Sequence, residues 1–406
     1  MIFIFYVLAA VLVFLSFRSF RGGIEYLRFF KSELAKAPSD FAPFVTVIVP
    51  CRGLDAGLAE NLRSLVDQDY PNHETLFVVD DKNDGAVPII EKVMRTKAET
   101  RAVASVPDTK LIVANSAKGC SQKVENLREG VLHAADRSEA FVFADSDVRP
   151  SKIWLRSLVA PLQNEQVGAA TGYRWFISEK PGFASEMRSA WNASIASALG
   201  PNTKTNFCWG GSMAIRRDVF KRIEMREKWR GTLSDDFAVT RAMSEAGLPI
   251  VFVPQALTAS VENCTFRELL EFTTRQMKIT RVYARHLWAL SLFGSAVFTS
   301  VMLASWPIVV FRNTSDFAVF AAMVTLLLVT IFSVGKAWLR LKAVRLVLRQ
   351  YRSELERQFW TQNTFWLVTP VIFLYNSLAA LFSRRLLWRG IRYELKSPTE
   401  TVIITD

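Results

Sequence analysis

Two aspartates spaced two residues apart, Asp145 and Asp147, follow an apolar run in the string FVFADSDVRP. An apolar run that ends in acids is typical of a buried parallel strand that delivers carboxylates to a ligand at its C-terminal end. Two carboxylates beside a hydrophobic run are costly to bury without a cation. Because Mg²⁺ and Mn²⁺ prefer oxygen ligands, we expect Mg²⁺ or Mn²⁺ at this pair, with a solvated Asp-rich turn as the common alternative.

Charged residues also follow two other strand-like runs. Arg52 and Asp55 come after VTVIVP, and Asp80, Asp81 and Asp84 come at or just after the end of TLFVVDD. Ligands of open α/β sheets gather at the carboxyl ends of the strands. The three sets of residues therefore predict one polar site at one edge of a sheet.

Strand-like and helix-like stretches alternate between residues 43 and 285 and predict a domain there. The strands are expected at 45–50, 75–81, 110–115 and 141–147, and the helices at 58–67, 87–97 and 123–135. This alternation predicts an α/β fold with a Rossmann-like, mainly parallel, doubly wound sheet. The chain has no GxGxxG after its first strand and no GxxxxGK[ST], which argues against a dinucleotide dehydrogenase and a P-loop NTPase.

Two later motifs carry further polar chemistry. In CWGGSMAIRRDVF, the pair Gly210-Gly211 lets the backbone approach a ligand closely. In GTLSDDFAVTRAM, Asp235 and Asp236 precede an apolar helical run, so one of them is a candidate helix N-cap. The N-cap is a single position, and the second acid is a candidate general base whose pKa neighbouring negative charge would raise.

A cationic helix is predicted after Phe266, in RELLEFTTRQMKITRVYARH. Arg275, Lys278, Arg281 and Arg285 recur there at roughly one-turn spacing. Cations on a solvated helix face are the simplest interpretation. Cations at this spacing, directly before an apolar span, can also hold a diphosphate.

Apolar segments at both ends of the chain predict a membrane protein. Residues 1–17 are uncharged and are followed by Arg18 and Arg21, so we interpret them as a retained anchor rather than a signal peptide. Further spans are expected at 287–311 and 317–335, followed by a basic amphipathic interfacial helix at 336–357, with a helix packed on the protein as the alternative. By the positive-inside rule the domain at 43–285 is cytoplasmic and Met1 faces outward.

The last apolar segment, 359–382, conflicts with that rule if it crosses, because Arg384, Arg385, Arg389 and Arg392 follow it. It contains Gln362, Asn363, Asn376 and a central Thr369-Pro370. We therefore expect a membrane-embedded, re-entrant segment broken near Pro370, followed by a cytoplasmic tail at 383–406.

The formal net charge is +12, and cations that flank the membrane segments account for most of it. No nucleic-acid-binding module is recognisable, so no nucleic acid is expected as a partner. The four cysteines lie far apart without CxxC spacing and are expected to be reduced, and three histidines make a His-based metal site improbable.

These motifs together resemble a family 2/family 21 type GT-A glycosyltransferase, in the pattern of ceramide glucosyltransferases and related bacterial lipid glycosyltransferases. The matching stretches are VIVPCRGLDAGLAENLRSLVDQDYPNHETLFVVDD, SQKVENL, FADSDVRPSKIWL, ATGY, CWGGSMAIRRDVF and LSDDF, in the family's order, and LLWRGIRYEL resembles its closing segment. The resemblance implies transfer of a sugar from a UDP-sugar to a membrane lipid hydroxyl with inversion.

The resemblance also implies roles for particular residues. Asp236 would be the catalytic base, and Asp145 and Asp147 would hold the metal on the diphosphate, with Asp147 the more direct ligand. The remaining donor-site or acceptor-site residues implied are Asp80, Asp81, Asp84, Lys123, Asn126, Asp235, Arg275, Gln276 and Lys278.

The family's (Q/R)xxRW motif is incomplete here. Arg275 fits its first position, but Lys278 stands where the motif has Arg and Ile279 where it has Trp. A lysine keeps the charge but not the bidentate fork of arginine. Two alternatives remain at this stage: a processive polysaccharide synthase with the same core, and a non-catalytic membrane scaffold.

Overall fold

The computed structural model describes residues 2–99, 108–312 and 314–404. Met1 of the predicted anchor and the last two residues of the predicted tail lie outside the described residues. The chain divides into two compact units, and helices and strands are labelled here in chain order. The first unit comprises Met1–Lys31, Lys180–Ser197 and Cys264–Arg384, and the second comprises Ser32–Glu179, Ala198–Asn263 and Arg385–Asp406.

The second unit contains a seven-stranded sheet built from strongly apolar, β-branched and aromatic segments. Its strands are β1 (Val45–Pro50), β2 (His73–Val79), β3 (Asp108–Val113), β4 (Ala140–Ala144), β5 (Ala169–Ile177), β6 (Ser212–Arg216) and β7 (Ile250–Val261). Strands β1, β2 and β4 are buried at every position. Burial on both faces explains why these segments are continuous apolar runs rather than alternating ones.

The sheet has the strand order β3-β2-β1-β4-β6-β5-β7. Strand β6 pairs antiparallel with both β4 and β5, and the other pairings are parallel. The order reverses between β1 and β4, and crevices at such a switch point are where open α/β sheets bind ligands. The predicted α/β class with a mainly parallel sheet is confirmed.

Helices pack on this sheet to form its core. They are α2 (Leu58–Val66), α3 (Val87–Glu99), α4 (Gln122–Gly130), α5 (Trp154–Val159), α7 (Arg217–Arg222), α8 (Met225–Lys228) and α9 (Asp235–Glu245). One buried cluster joins Phe143 of β4 to Leu127 of α4 and Val239 of α9. The ring of Phe143 lies 5.4 Å from that of Trp229, edge to face. This packing fixes the first turns of α4 and α9 against the sheet.

The predicted C-terminal tail forms a three-stranded antiparallel sheet. Strands β8 (Arg385–Trp388), β9 (Ile391–Ser397) and β10 (Glu400–Ile404) pair in the order β10-β9-β8. Side chains of β9 alternate in burial, with Tyr393 and Leu395 almost fully enclosed. The period of two in these short runs is what a half-buried strand requires. The cytoplasmic location of this segment stays a prediction.

The regular secondary structure described in the first unit is helical. Its helices are α1 (Ile2–Leu34), α6 (Phe183–Ala196), α10 (Phe266–Tyr283), α11 (Arg285–Phe311), α12 (Asp316–Val347), α13 (Arg352–Thr364) and α14 (Thr369–Phe382). The sequence marks several ends: Thr265 and Glu268 form a capping box at α10, and Ser315 caps α12 by accepting from Ala318 N at 3.3 Å.

In the part of the chain that the structure describes, three helices are long and apolar enough to cross a membrane: α1, α11 and α12. Phe5, Val301, Ala322 and Val329 belong to one buried cluster in which these three helices pack together. Helices α1 and α12 extend beyond the predicted spans, α1 to Leu34 and α12 through Gly335 to Val347, and the bounds of the spans themselves stay predictions. No proline stands at either position, and Gly335 lies inside the helix instead of capping it.

The segment expected to break near Pro370 does contain a bend. Helices α13 and α14 meet at 74° across a short turn, and Thr369-Pro370 opens α14 rather than interrupting it. Proline is well tolerated in the first helical turn because its missing N–H has no partner there in any case. The geometry fits a broken span or a re-entrant loop, and its topology in the membrane stays a prediction.

Acid is expected to destabilise the second unit through His73, the first residue of β2. Burial lowers the pKa of His73 from 6.5 to about 4. The unfolded chain therefore binds a proton that the folded chain does not, and the free energy of unfolding should fall by about 3 kcal/mol as the pH drops from 6.5 to 4. Thermal unfolding of the full chain in detergent at several pH values measures this loss.

His73→Asn provides the matched control. The Nδ1 atom of His73 lies 3.2 Å from the carbonyl oxygen of Tyr70, a bond that the Asn amide can also donate. Asn does not titrate, so the variant should lose less stability over the same pH range. An equal loss in both proteins would contradict the role of His73.

Candidate functional site

The ends of β1, β2 and β4 lie on the same edge of the second unit's sheet because these strands run parallel. Charged residues follow each end: Arg52 and Asp55 after β1, Asp80 after β2, and Asp145 and Asp147 after β4. The edge is therefore lined with carboxylates. Each of these acids has a particular partner, and the partners differ.

Asp145 shares one buried cation with Asp235. The Nζ atom of Lys123 lies 2.6 Å from Asp145 Oδ1 and 3.1 Å from Asp235 Oδ1. Lys123 stands in the first turn of α4, which Ser121 caps by accepting from Val124 N at 3.2 Å. Burial alone would lower the pKa of Lys123, but the two carboxylates raise it above its ordinary value, so the ammonium stays charged.

Arg174 is the second cation of the cluster. This residue of β5 places Nη1 3.0 Å from Asp147 Oδ2 and Nη2 3.5 Å from Asp145 Oδ2. Its guanidinium also lies over the ring of Trp209, 4.8 Å from the centroid. Burial would raise the pKa of Asp147, but the charges of Arg174, Arg389 and Lys123 outweigh it and hold that pKa below its ordinary value.

Whether a divalent cation fits the Asp145–Asp147 pair depends on whether its carboxylate oxygens still lack a hydrogen-bond partner. Asp147 Oδ1 is buried and has no hydrogen-bond partner, so it is a carboxylate oxygen that a cation would satisfy. Among the described residues, no group of three or more His, Cys, Asp or Glu could hold a metal ion. A cation here would thus take few protein oxygens and complete its shell from a ligand, as Mg²⁺ commonly does.

The two acids of the SDD motif have different surroundings in the first turn of α9. Ser234 occupies the N-cap position, which corrects the alternative that one of the aspartates is the cap. Asp235 is buried, and burial, together with the charges of Asp236 and Asp145, raises its pKa to about 6 against the opposing effect of Lys123.

Asp236 is half-buried. Its Oδ1 accepts from Phe237 N at 2.8 Å and from the Ser234 hydroxyl, and its Oδ2 lies 3.5 Å from Gly210 N. Within the described part of the chain its carboxylate makes no salt bridge. Asp236 is therefore the member of the pair that combines fixed orientation with access from outside.

The Gly210-Gly211 pair makes room for the cluster. A Cβ atom on Gly210 would lie 2.0 Å from Asp235 Oδ2 and 2.9 Å from Lys123 Nζ, and one on Gly211 would lie 2.8 Å from Asp145 Oδ2. Any larger side chain would overlap these atoms. The close neighbours of this backbone in the structure are the protein's own side chains, and its predicted approach to a ligand stays a prediction.

A cavity of about 630 Å³ adjoins the ends of β1 and β2. Its lining residues are Arg52, Gly53, Asp80, Asp81, Asp84, Ser116 and Arg389. Asp80, Asp81 and Asp84, which the resemblance implies as substrate-binding residues, all lie at this cavity. Its size suits a small polar ligand.

The three cavity acids are not equivalent. Asp84 accepts from Gly53 N at 2.9 Å and 3.0 Å with its two oxygens and from Ala86 N at 2.7 Å, so it fixes the loop after β1. Asp80 pairs with Arg52 through Oδ2, while its buried Oδ1 has no partner. Asp81 is exposed and accepts from Asn83 N at 2.8 Å. Asp80 and Asp81 thus remain the better candidates for ligand contact.

The four other predicted site residues lie on α4 and α10. Asn126 is fully buried, donates to Val78 O at 3.1 Å and accepts from Gln122 at 2.9 Å, so it joins α4 to β2 instead of facing a ligand. Arg275, Gln276 and Lys278 lie on α10 of the first unit. Their predicted role in substrate binding stays a prediction.

Two cations of the site, Arg174 and Arg389, are not predicted as site residues from the sequence. Arg174 lies on β5 directly after the matching stretch ATGY, which does not include it, and Arg389 lies in the two-residue turn between β8 and β9. Arg389 Nη2 pairs with Asp55, whose other oxygen accepts from the Ser146 hydroxyl at 2.6 Å. The resemblance of LLWRGIRYEL to a family segment was the one signal that pointed to this turn.

Gly210→Ala is expected to destabilise the fold, because its methyl group would displace Asp235 from Lys123. Overpacking of this kind costs about 1–3 kcal/mol, which should lower the melting temperature by several degrees. Gly200→Ala is the matched control, since no atom lies within 4 Å of the Cβ it would add. Thermal unfolding of both variants in detergent measures the difference, and equal melting temperatures would contradict the close contact.

Solved structures of similar architecture include two nucleotide-sugar enzymes. One is a mannosyltransferase from Pyrobaculum calidifontis in complex with GDP-mannose and Mn²⁺, at 19% identity and a TM-score of 0.46, covering 92% of this chain and 99% of that one. The other is glucosyl-3-phosphoglycerate synthase from Mycobacterium tuberculosis in complex with Mn²⁺ and UDP-glucose, at 15% identity and a TM-score of 0.33, covering 62% of this chain and 80% of that one.

Sequence comparisons identify the family. A segment of 123 residues is 32% identical to ceramide glucosyltransferase of Candida albicans, and it covers 29% of this chain and 22% of that protein. Residues 2–401 match the profile of glycosyl transferase family 21, which is nearly the whole chain. The resemblance stated from the motifs and the GT-A type of fold are thereby confirmed, and the chain belongs to glycosyl transferase family 21.

Proposed function

We propose that this glycosyltransferase moves a hexose, glucose or N-acetylglucosamine, from a UDP-sugar to the hydroxyl group of a membrane lipid, with inversion, in the manner of a ceramide glucosyltransferase. The observation that carries the proposal is the state of Asp236. Asp236 is oriented by hydrogen bonds, is half-buried, and makes no salt bridge among the described residues. In the neighbouring cluster, Asp145 pairs with Lys123 and Asp147 pairs with Arg174.

The donor is proposed to bind with its nucleoside in the cavity at the ends of β1 and β2. Asp80 and Asp81 are the acids whose oxygens remain available there, because Asp84 is bonded to backbone amides. Carboxylates accept hydrogen bonds from ribose hydroxyls and from a base N–H. The diphosphate would then extend along the strand ends towards Asp147.

A divalent cation, Mg²⁺ or Mn²⁺, is proposed to be held by Asp147, with Asp145 beside it. The unpartnered Oδ1 of Asp147 supports this assignment. When bound, such an ion neutralises charge on a diphosphate leaving group. Asp145 is proposed to act mainly through Lys123, which orients it and links it to α9.

The proposed reaction is one in-line displacement at the anomeric carbon. Asp236 takes the proton of the lipid hydroxyl as that oxygen attacks from the face opposite the diphosphate. The hydrogen bonds from Phe237 N and Ser234 hold one oxygen of Asp236, which leaves the other to face the acceptor. Attack from the opposite face inverts the anomeric configuration. Arg174 and Lys123 keep the neighbouring acids neutralised, so that a negatively charged donor can approach.

The acceptor is proposed to be a lipid because α1, α11 and α12 are long and apolar enough to span a membrane. We place the catalytic unit on the cytoplasmic side of the membrane, because cations follow the first and third spans. We propose the inner membrane of a bacterium as that membrane, because the motifs resemble those of bacterial lipid glycosyltransferases. The bent pair of α13 and α14 is proposed to be re-entrant from that side. The cations Arg275 and Lys278 on α10 are proposed to assist with the diphosphate or the acceptor.

Asp236→Asn is expected to abolish transfer while leaving nucleotide binding intact. Loss of a general base lowers kcat by about 10²–10⁴-fold, and the Asn side chain retains the size and an accepting oxygen. Turnover is measured with the purified full chain, UDP-glucose or UDP-N-acetylglucosamine and ceramide or bacterial lipid extracts, by mass spectrometry of the lipid product. Binding of UDP is measured by calorimetry.

The control is Glu245→Gln, which removes an exposed acid at the far end of the same helix. Its turnover should equal that of the unmodified protein. Near-normal turnover of Asp236→Asn would contradict the base assignment. The length of the product, one sugar or a polymer, distinguishes the proposed function from a polysaccharide synthase.

Removal of divalent cations is expected to abolish transfer and weaken UDP binding. Chelation with EDTA followed by addition of Mn²⁺ or Mg²⁺ should restore both in the unmodified protein. In Asp147→Asn, where one carboxylate oxygen is replaced, Mn²⁺ should strengthen UDP binding much less. UDP affinity that is independent of Mn²⁺ in the unmodified protein would argue against the ion.

A further inference from the structure

We propose that the hairpin formed by β8 and β9 completes the donor site, and that Arg389 at its tip binds the diphosphate of the nucleotide sugar. The inference rests on the proposed function and adds a residue that the sequence motifs do not identify. Four features of the second unit support it: the anchoring of the hairpin, its backbone conformation, the environment of Arg389 and the packing of the following turn.

The hairpin is anchored to the elements that carry the site. The hydroxyl of Tyr393 accepts from Gln122 N at 3.2 Å, directly beside Lys123 at the start of α4. Arg52 Nε donates to Arg389 O at 3.1 Å, and the Arg389 guanidinium pairs with Asp55 after β1. The tip of the hairpin is thus fixed at the ends of the strands that line the cavity.

The backbone of the turn is unusual for an arginine. Arg389 has φ 50° and Gly390 has φ 77°, so both central residues of this two-residue turn are in the left-handed region. Turns of this kind favour Asn-Gly or Gly-Gly, because a residue with a Cβ is strained there. Arg389 keeps this strain at a position where Asn or Gly would be less strained, which points to a role for the arginine side chain itself.

The side chain of Arg389 is placed for an anion. It lines the 630 Å³ cavity, and 37% of its surface is exposed. Nη2 pairs with Asp55, which leaves Nε and Nη1 as donors, and guanidinium groups bind phosphate through two parallel hydrogen bonds. The other cavity arginine, Arg52, is already engaged with Asp80 and with the backbone of Arg389.

The turn between β9 and β10 packs as closely. A Cβ on Gly231, which has φ 75°, would lie 2.0 Å from the carbonyl oxygen of Thr399. Gly231 stands a few residues before Ser234 and Asp236, so the C-terminal sheet also contacts the segment that leads into α9. The C-terminal sheet therefore touches the surroundings of both proposed substrates rather than forming a separate appendage.

Binding of UDP and of uridine to the full chain in detergent tests the role of Arg389. In Arg389→Gly, the affinity for UDP should fall by about 10–100-fold, the effect of losing charged hydrogen bonds, while uridine, which has no phosphate, should bind as before. Arg389→Lys should be intermediate, since it keeps the charge but not the fork. Arg385→Gln, which removes an exposed cation of the same sheet, is the control and should bind UDP normally.

Uridine binding separates this role from a merely structural one. Glycine relieves the left-handed strain at position 389, but it also leaves the buried carboxylate of Asp55 without its cation, so the melting temperature responds to both effects. An equal loss of UDP and uridine affinity in Arg389→Gly would indicate a structural role and overturn the inference. Equal UDP affinity of Arg389→Gly and the unmodified protein would overturn the inference and leave the proposed function intact. If the unmodified protein binds neither UDP nor GDP, the proposed function fails first and the inference with it.

Discussion

The active site depends on the ammonium group of Lys123, which two carboxylates on different elements share. Asp145 ends β4 and Asp235 begins α9, so this one cation joins the sheet edge to the helix that carries the proposed base. Without it, two buried carboxylates would face each other and the charge of Asp236, an arrangement that costs several kcal/mol. The position of Asp236 is therefore inseparable from the charge balance behind it.

The packing of the cluster around Lys123 also explains why residues 210 and 211 are glycines. Gly210 and Gly211 lie where a Cβ would meet Asp235, Lys123 or Asp145, so the CWGG motif is a packing requirement of the charged cluster. Buried ion pairs are stable only when their geometry is close and their remaining atoms are satisfied. The ion pairs of the cluster have close geometry. Asp147 and Asp235 each retain one unpartnered oxygen, and a ligand could satisfy these two atoms.

The sequence predicts the sheet and its acids well because both are local features. The run VTVIVP coincides with β1, and the other three predicted strands overlap β2, β3 and β4 with ends displaced by one to three residues. The acids that follow these runs are evident without knowledge of the rest of the chain. Their partners are not local: Arg174 and Arg389 reach the acids from a strand and a turn far along the sequence, and the sequence analysis assigns no role to either residue. The ends of helices are also not purely local features. Helix α12 passes through Gly335 because neighbouring packing, and not local propensity, decides where it stops.

The roles of the site acids follow from what each oxygen already contacts. Asp84 is bonded to backbone amides, and Asp235 and Asp145 share Lys123, so these three acids shape the site. Asp147 retains an unpartnered oxygen, and Asp236 is oriented without a cation. A motif such as DSD or SDD cannot separate these roles, because it fixes residue types but not their partners. The separation comes from the three cations, and none of them lies within the DSD or SDD motif. The proposal of Asp236 as the base therefore depends on the fold of the second unit, because that fold decides which carboxylates pair with Lys123, Arg174 and Arg389.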